Sequence, residues 1–358
     1  MVKKDTDKPA IKKVIYATEE RKALINRKNI VEYDKYLKSR ISRNSETKNT
    51  TYKQYKSSFY IWLCFLAERY DNPFILDIKF LDDVFMDMMD DYIYFLQDEL
   101  GNNKKRINFH CSAISSFYIF AVKRRLVRFN PMQNVSRMER ANDEHIIDSD
   151  FLKKYEVQEI TRELMKTVNE DYTGHYDIID LIIWRVFLDS TSRISAVHQL
   201  TLDNLQYDEA RNFAYFDNIR EKRGKITKVV IRKDTYDLIV NHYIPWREKN
   251  NINTNDLFPA KNGVDENGNA TWSQMTKESI YRRVRKIGNI VGLTGFRPHS
   301  IRKTSANLLY KEHGIEATQQ ILLHESSDTT MKHYIEKTGV DDVFAKILSE
   351  ENNNNESE

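Results

Sequence analysis

The sequence predicts a mainly α-helical protein with one small β-sheet, built as two units. Three observations predict it. Apolar residues recur at helical spacing over most of the chain, and short alternating stretches are confined to residues 212–233. A charged segment without regular apolar periodicity, residues 139–154, separates the two helical regions. With 358 residues, 40% hydrophobic and 11% aromatic, the chain can fill two packed cores.

The elements follow in order. Residues 1–45 are highly charged and hold one expected helix from Thr18 to Ile41, an N-terminal arm or accessory helix. Residues 46–138 read as a compact all-helical unit. Its first helix, TTYKQYKSSFYIWLCFLAERY, puts Tyr55, Phe59, Trp62, Leu63 and Leu66 on one face. LDDVFMDMMDDYIYFLQDEL and KRINFHCSAISSFYIFAVKRRL follow, with Asn130-Pro131 closing the latter and a short helix expected near PMQNVSRM. Residues 139–154 are the linker, and 155–348 form the second unit. It opens with VQEITRELMKTVNE and a buried helix written through YDIIDLIIWRVFLDSTSRISAVHQL. A β-hairpin comes next, from NFAYFDNIR and ITKVVIRK around Arg223-Gly224, then three or four helices. Residues 349–358, SEENNNNESE, have the composition of a disordered tail.

Composition narrows the function classes. The longest apolar run, Tyr60 to Ala67, is too short to span a bilayer, and the N-terminus lacks a signal-peptide pattern. Cys64 and Cys111 stand alone in apolar helical patterns, which fits a reduced cytoplasmic protein with no disulfide framework or zinc site. The net charge is only +3, but it is unevenly distributed. Residues 71–100 are strongly acidic, whereas the next block carries Lys104, Lys105, Arg106, Lys123, Arg124 and Arg125. KESIYRRVRK adds a second basic block with Arg282 and Arg283. Lys and Arg interleaved with aromatics are the footprint of a phosphate-backbone binder, although a charge run alone also suits a solvated face.

The stretch GFRPHSIRKTSANLL carries sharper chemistry. Pro298 suits a first helical position, where its missing N–H has no intrahelical partner. His299 and Arg302, three residues apart, share one face of that helix start. A ring donor, a guanidinium and a helix N-terminus together describe a phosphate site.

RPHSIRKTSANLL, ILLHESSDTTMKHYI, STSRISAVHQLTLDNL and DNIREKRGKITKVVI together resemble the four boxes of the tyrosine recombinase (phage integrase) family. The resemblance covers about residues 155–348 and implies a mixed α/β catalytic domain of the tyrosine recombinase type, preceded by a helical core-binding domain at 46–138. It assigns Arg193 and Arg302 to the phosphate oxygens, His324 to a further hydrogen bond, and His299 to general base. Lys222 becomes the general acid, with Lys225 and Lys228 competing on the same hairpin, and Tyr334 the nucleophile. Tyr310, on the helix after Arg302, is expected in a core. Three departures stand out: Ala196 where an acidic residue is usual, Ser190-Thr191 where Thr-Gly is usual, and Leu323 where glycine is usual. With no carboxylate at 196, Arg193 must be held another way. The spacing from His324 to Tyr334 is also one longer than many relatives show.

The resemblance implies a site-specific recombinase, an integrase or transposase of a mobile element, acting through a 3′-phosphotyrosyl intermediate without metal or cofactor. Its partners would be double-stranded DNA recombination sites and three further copies, a homotetramer on synapsed DNA formed from free monomers, with excision or host bending factors. Two alternatives stay open: relaxation of DNA in the manner of a type IB topoisomerase, and a non-catalytic DNA-binding regulator on the same scaffold. A location at the nucleoid would follow from any of the three.

Overall fold

The structure is a computed structural model and describes residues 15–41, 51–139, 151–221, 225–266 and 268–322. The chain divides into two compact units between Glu144 and His145, within the charged segment 139–154.

In the N-terminal unit, α1 (Glu19–Ala23) and α2 (Arg27–Ile41) precede α3 (Thr51–Arg69). A helical stretch follows in which α4 (Phe85–Tyr94) is flanked by π-helical turns at Phe80–Val84 and Phe95–Glu99, and α5 (Lys104–Lys123) completes the unit. Its core is aromatic. Trp62 is fully buried between Phe59, Phe85 and Tyr118, and its indole N–H donates to the Met88 sulfur. The expected accessory helix differs from its sequence reading. It is broken at Leu24–Asn26, and its inner face joins this same core. Tyr33 stacks on Phe59 with ring centroids 3.9 Å apart, and the Asn29 side chain bridges Pro73 and Ile75. Tyr33, Tyr36 and Leu37 are apolar surface that α3 and α5 cover, so these helices pack into the bundle.

The second unit is built around α7 (Ile178–Ser190), with α6 (Lys154–Met165) before it and α8 (Ile194–Val197) after it. α7 is apolar on nearly every side, the pattern of a helix enclosed by others. The Trp184 indole donates to Thr161 on α6, and α11 (Lys277–Gly288), α12 (Pro298–Leu322) and the strand Ile226–Arg232 all pack on α7. β1 (Leu205–Asp208), β2 (Phe213–Arg220) and β3 (Ile226–Arg232) form an antiparallel sheet in that order. Ala214, Phe216, Ile219, Val229 and Ile231 turn inward from it to the α7 core. Between β3 and α11 lie α9 (Lys233–Leu238), α10 (Ile244–Lys249) and a second hairpin, β4 (Pro259–Val264) with β5 (Ala270–Gln274).

Two features depart from expectation. Residues 176–200 do not form one helix: the chain turns at Thr191, whose φ of 50° and ψ of 18° are left-handed, and restarts as α8. The β4–β5 hairpin was not anticipated, because PAKNGVDENGNATWSQ is rich in Asn and Gly and poor in the β-branched alternation that marks strands. Backbone pairing explains why it forms nonetheless. Leu202 N–H donates to Asn255 and Leu257 N–H to Leu200, holding the approach to β4 against the end of the α8 segment. Buried Arg247 on α10 then satisfies the carbonyls of Thr254, Asp256 and Leu257.

Candidate active site

The turn after α7 is the base of the site. The Ser190 hydroxyl donates to the Val186 carbonyl and accepts the Ser192 N–H, and Thr191 between them is completely buried in its left-handed conformation. For a β-branched residue that conformation is an outlier, and such outliers persist where surrounding contacts hold them. The contact here is Arg302. Its Nη1 donates to the Thr191 carbonyl and its Nη2 to the Leu322 carbonyl at 2.9 Å. Arg302 itself is 3% exposed. The first turns of α12 are fixed to α7 by a second bond, from the Ser305 hydroxyl to the Leu188 carbonyl, while Thr304 accepts from the Leu152 N–H.

Arg193 follows Thr191 by two residues and is the N-cap of α8, so Arg302 and the backbone carrying Arg193 meet at one turn. The Arg193 side chain is 29% exposed, and its Nη1 lies 3.1 Å from Glu221 Oε2. Pro298 occupies the first position of α12, as its sequence suggested, and His299 beside it is exposed on the helix start. The Leu322 carbonyl held by Arg302 stands two residues before His324. Lys222, His324 and Tyr334 lie outside the described residues. Of their rivals, Lys228 is on β3 with its ammonium 3.8 Å from the centre of the Tyr215 ring, and Lys225 pairs its backbone with Glu221 at the loop base. Tyr310 is half-buried on α12.

The basic candidates separate by environment. Lys104 and Lys105 are exposed in the first turn of α5, and Arg106 lies over the Phe109 ring. This turn has no acidic residue, so three cations sit at the positive end of the helix dipole, a local cost of about 0.3–1 kcal/mol each in the absence of an anion. Lys123, Arg124 and Arg125 are exposed at the other end, where the dipole favours them. In the second unit Arg282 is exposed, whereas Arg283, the other expected DNA contact, is paired within the fold. Its guanidinium donates to Asp177 and to fully buried Asp180, at 2.7 Å to the latter. The carboxylates face the same side of the α7 N-terminus, so burying Asp180 requires a cation there. The pairing raises the Arg283 pKa against the effect of its own burial.

At the Thr191 turn the part-exposed Arg193 guanidinium faces solvent and can meet an anion, while Arg302 is buried against the turn's backbone. Among the described residues no cluster of His, Cys, Asp and Glu could hold a metal ion, and no helix is long and apolar enough to cross a membrane. Sequence reading overlooked Glu221 and Gln199. The signal for the first was indirect, namely an arginine box lacking its own carboxylate.

The model of the phage integrase family matches residues 151–339. No curated protein matches the chain. Among solved structures, a lambda integrase (75–356) dimer bound to a COC′ core site is similar, with a TM-score of 0.57 at 15% identity, covering 87% of this chain and 96% of that one. The Tn1549 transposon integrase in complex with circular intermediate DNA gives 0.56 at 16%, covering 87% and 98%. XerH site-specific recombinase bound to palindromic difH substrate gives 0.55 at 17%, covering 77% and 74%. At these identities the likeness is one of fold.

Proposed function

The chain belongs to the phage integrase family and is a site-specific recombinase of the tyrosine type, and from that premise we propose how its residues divide the work. The Tyr334 hydroxyl attacks the scissile phosphorus and displaces the 5′-oxygen, leaving a 3′-phosphotyrosyl bond that stores the energy for rejoining. His299 accepts the tyrosine proton, and Lys222 gives one to the departing oxygen. Arg193 and Arg302 bind the non-bridging oxygens while charge builds on the pentacoordinate phosphorus, and His324 adds a hydrogen bond. Fixed donors of this kind are each worth about 3–4 kcal/mol of barrier.

The observation that carries this reading is the Thr191 turn. Arg302 reaches back to it from α12, and Arg193 leaves it at the start of α8, so residues 109 positions apart in the chain share one anchor. The partner is double-stranded DNA. On α5 two basic groups stand roughly 30 Å apart along the axis, a distance suited to separate phosphates on one duplex. We assign assembly on paired sites to a homotetramer formed from free monomers.

The test is covalent trapping. A nicked suicide duplex, carrying the junction sequence from DNA flanking the chain's own gene, should hold the wild-type protein on a denaturing gel. Tyr334→Phe should bind that duplex with unchanged affinity and give no adduct, since only the hydroxyl is lost. An adduct that persists in Tyr334→Phe moves the nucleophile elsewhere, with Tyr310→Phe tested next. A single plasmid-bound monomer that relaxes supercoils without joining sites would favour the topoisomerase reading instead.

A further inference from the structure

Glu221 sits at the base of the loop joining β2 to β3, where side chains ordinarily face water. Its N–H donates to the Lys225 carbonyl at 2.8 Å. Its side chain is nonetheless only 7% exposed and turned onto Arg193, with Oε2 3.1 Å from Nη1. Burying a carboxylate is costly unless a cation and good geometry compensate. Arg193 is the cation here, and it keeps 29% of its side chain open to solvent for a ligand.

A second staple lies beside the first. Gln199, just after α8, donates from Nε2 to the Arg220 carbonyl at 2.9 Å and accepts the Arg220 N–H on Oε1 at 3.2 Å. The same Nε2 also bonds the Ser195 carbonyl at 2.6 Å. Arg220 and Glu221, the last two residues of the hairpin before its tip, are therefore both fastened to the segment that starts at Arg193. A register shift between Phe216 and Ile219, with Asn218 at a φ of 58°, bends β2 just before this contact. Ala196, one turn along α8 from Arg193, offers no carboxylate and is completely buried.

We propose that Glu221 is the positioning residue for Arg193, and that through it the phosphate-binding arginine and the end of β2 are held as one unit. Glu221 touches neither substrate nor reacting atoms. It fixes the guanidinium plane by one N–H, leaving the other donors for phosphate oxygens, and it does so from the residue next to Lys222. A shift at the end of β2 would thus move Arg193 as well. This inference rests on the assignment of Arg193 to the scissile phosphate.

The test compares full-length wild type with Glu221→Ala, Glu221→Gln and Glu221→Asp in single-turnover cleavage of the suicide duplex, with DNA binding and thermal melting measured alongside. Wild-type adduct formation first establishes that the chemistry occurs; its absence would sink the assignment of function, not this inference. Given cleavage by wild type, Glu221→Ala should be slower by about 10- to 100-fold with DNA affinity little changed, as expected when a catalytic group is misplaced by about 1 Å. Glu221→Gln should lose part of that rate and Glu221→Asp least. On a duplex whose scissile phosphate carries a neutral methylphosphonate, the need for a guanidinium falls, so the Glu221→Ala defect should shrink there. A merely structural role would slow both substrates equally. Wild-type cleavage by Glu221→Ala overturns the proposal, as does faster cleavage, which would make the ion pair a lock. If Glu221→Ala fails to fold, Glu221→Gln decides: an equal defect on both substrates overturns the proposal.

Discussion

Thr191 combines a strained backbone, a buried hydroxyl and a functional contact in one residue. Its left-handed backbone presents the carbonyl that Arg302 uses, while its Oγ1 has no hydrogen-bond partner among the described residues. Left-handed geometry costs an L-residue about 1–2 kcal/mol, whereas glycine adopts it freely but loses about 0.5–1 kcal/mol to greater freedom in the unfolded chain. Thr191→Gly also removes an unsatisfied buried hydroxyl, so it should stabilise the second unit by about 1 kcal/mol, or roughly 2–4 °C in melting temperature. The carbonyl stays, so adduct formation on the suicide duplex should continue at the wild-type rate. A lower melting temperature would mean that packing of the threonine methyl outweighs the strain.

At the scale of elements, α5 shows how a helix can combine a basic, solvent-facing surface with a buried face sensitive to pH. His110, on its inner face, is 1% exposed, and burial together with the Arg106 charge brings its pKa down from 6.5 to about 4. Between those two values the unfolded chain takes up a proton that the folded helix refuses, so stability falls as pH drops through that window. A shift of this size corresponds to about 3 kcal/mol when the window has been crossed. The N-terminal unit should therefore melt at a markedly lower temperature near about pH 4.5 than near about pH 7, and His110→Gln should flatten the part of that slope due to this ring. An unchanged slope in the variant would place the acid sensitivity in other groups, such as the carboxylates of α4.

For the whole molecule the question is how one copy's chemistry depends on its neighbours. TGVDDVFAKILSE, just beyond Tyr334, lies outside the described residues, and its sequence carries Val340, Val343, Phe344, Ile347 and Leu348 at helical spacing. A segment so short, taken as a helix from its spacing alone, is expected to need a docking surface for that apolar stripe. Docking on an adjacent copy would link the state of one active site to the next. Truncation after Thr338 should leave single-site binding intact while reducing the pairing of two sites and altering cleavage, read by gel shift and by adduct yield. A truncated protein that pairs sites and recombines at the wild-type rate would show that this segment is no exchange element.

Much of this could be read along the chain. The apolar faces of α3, α5 and α7, the β2–β3 hairpin and the start of α12 at Pro298 are local patterns, because a helix or strand repeats its buried side at a fixed interval. The four boxes named the chemistry for a similar reason: each keeps its residue types within a few positions. Periodicity says which face is apolar, however, and not what covers it. Only the tertiary structure placed Tyr33 of α2 against Phe59 and gave Arg283 to Asp177 and Asp180, more than 100 positions away. The break at Thr191 was invisible because Ser-Thr-Ser is compatible with a continuing helix, and the left-handed turn is held by an arginine 111 positions further on. The sequence by itself determined the family's chemistry and the missing carboxylate at 196. The packing of α8 against the hairpin, 28 positions apart at the Arg193–Glu221 pair, decided where that carboxylate comes from.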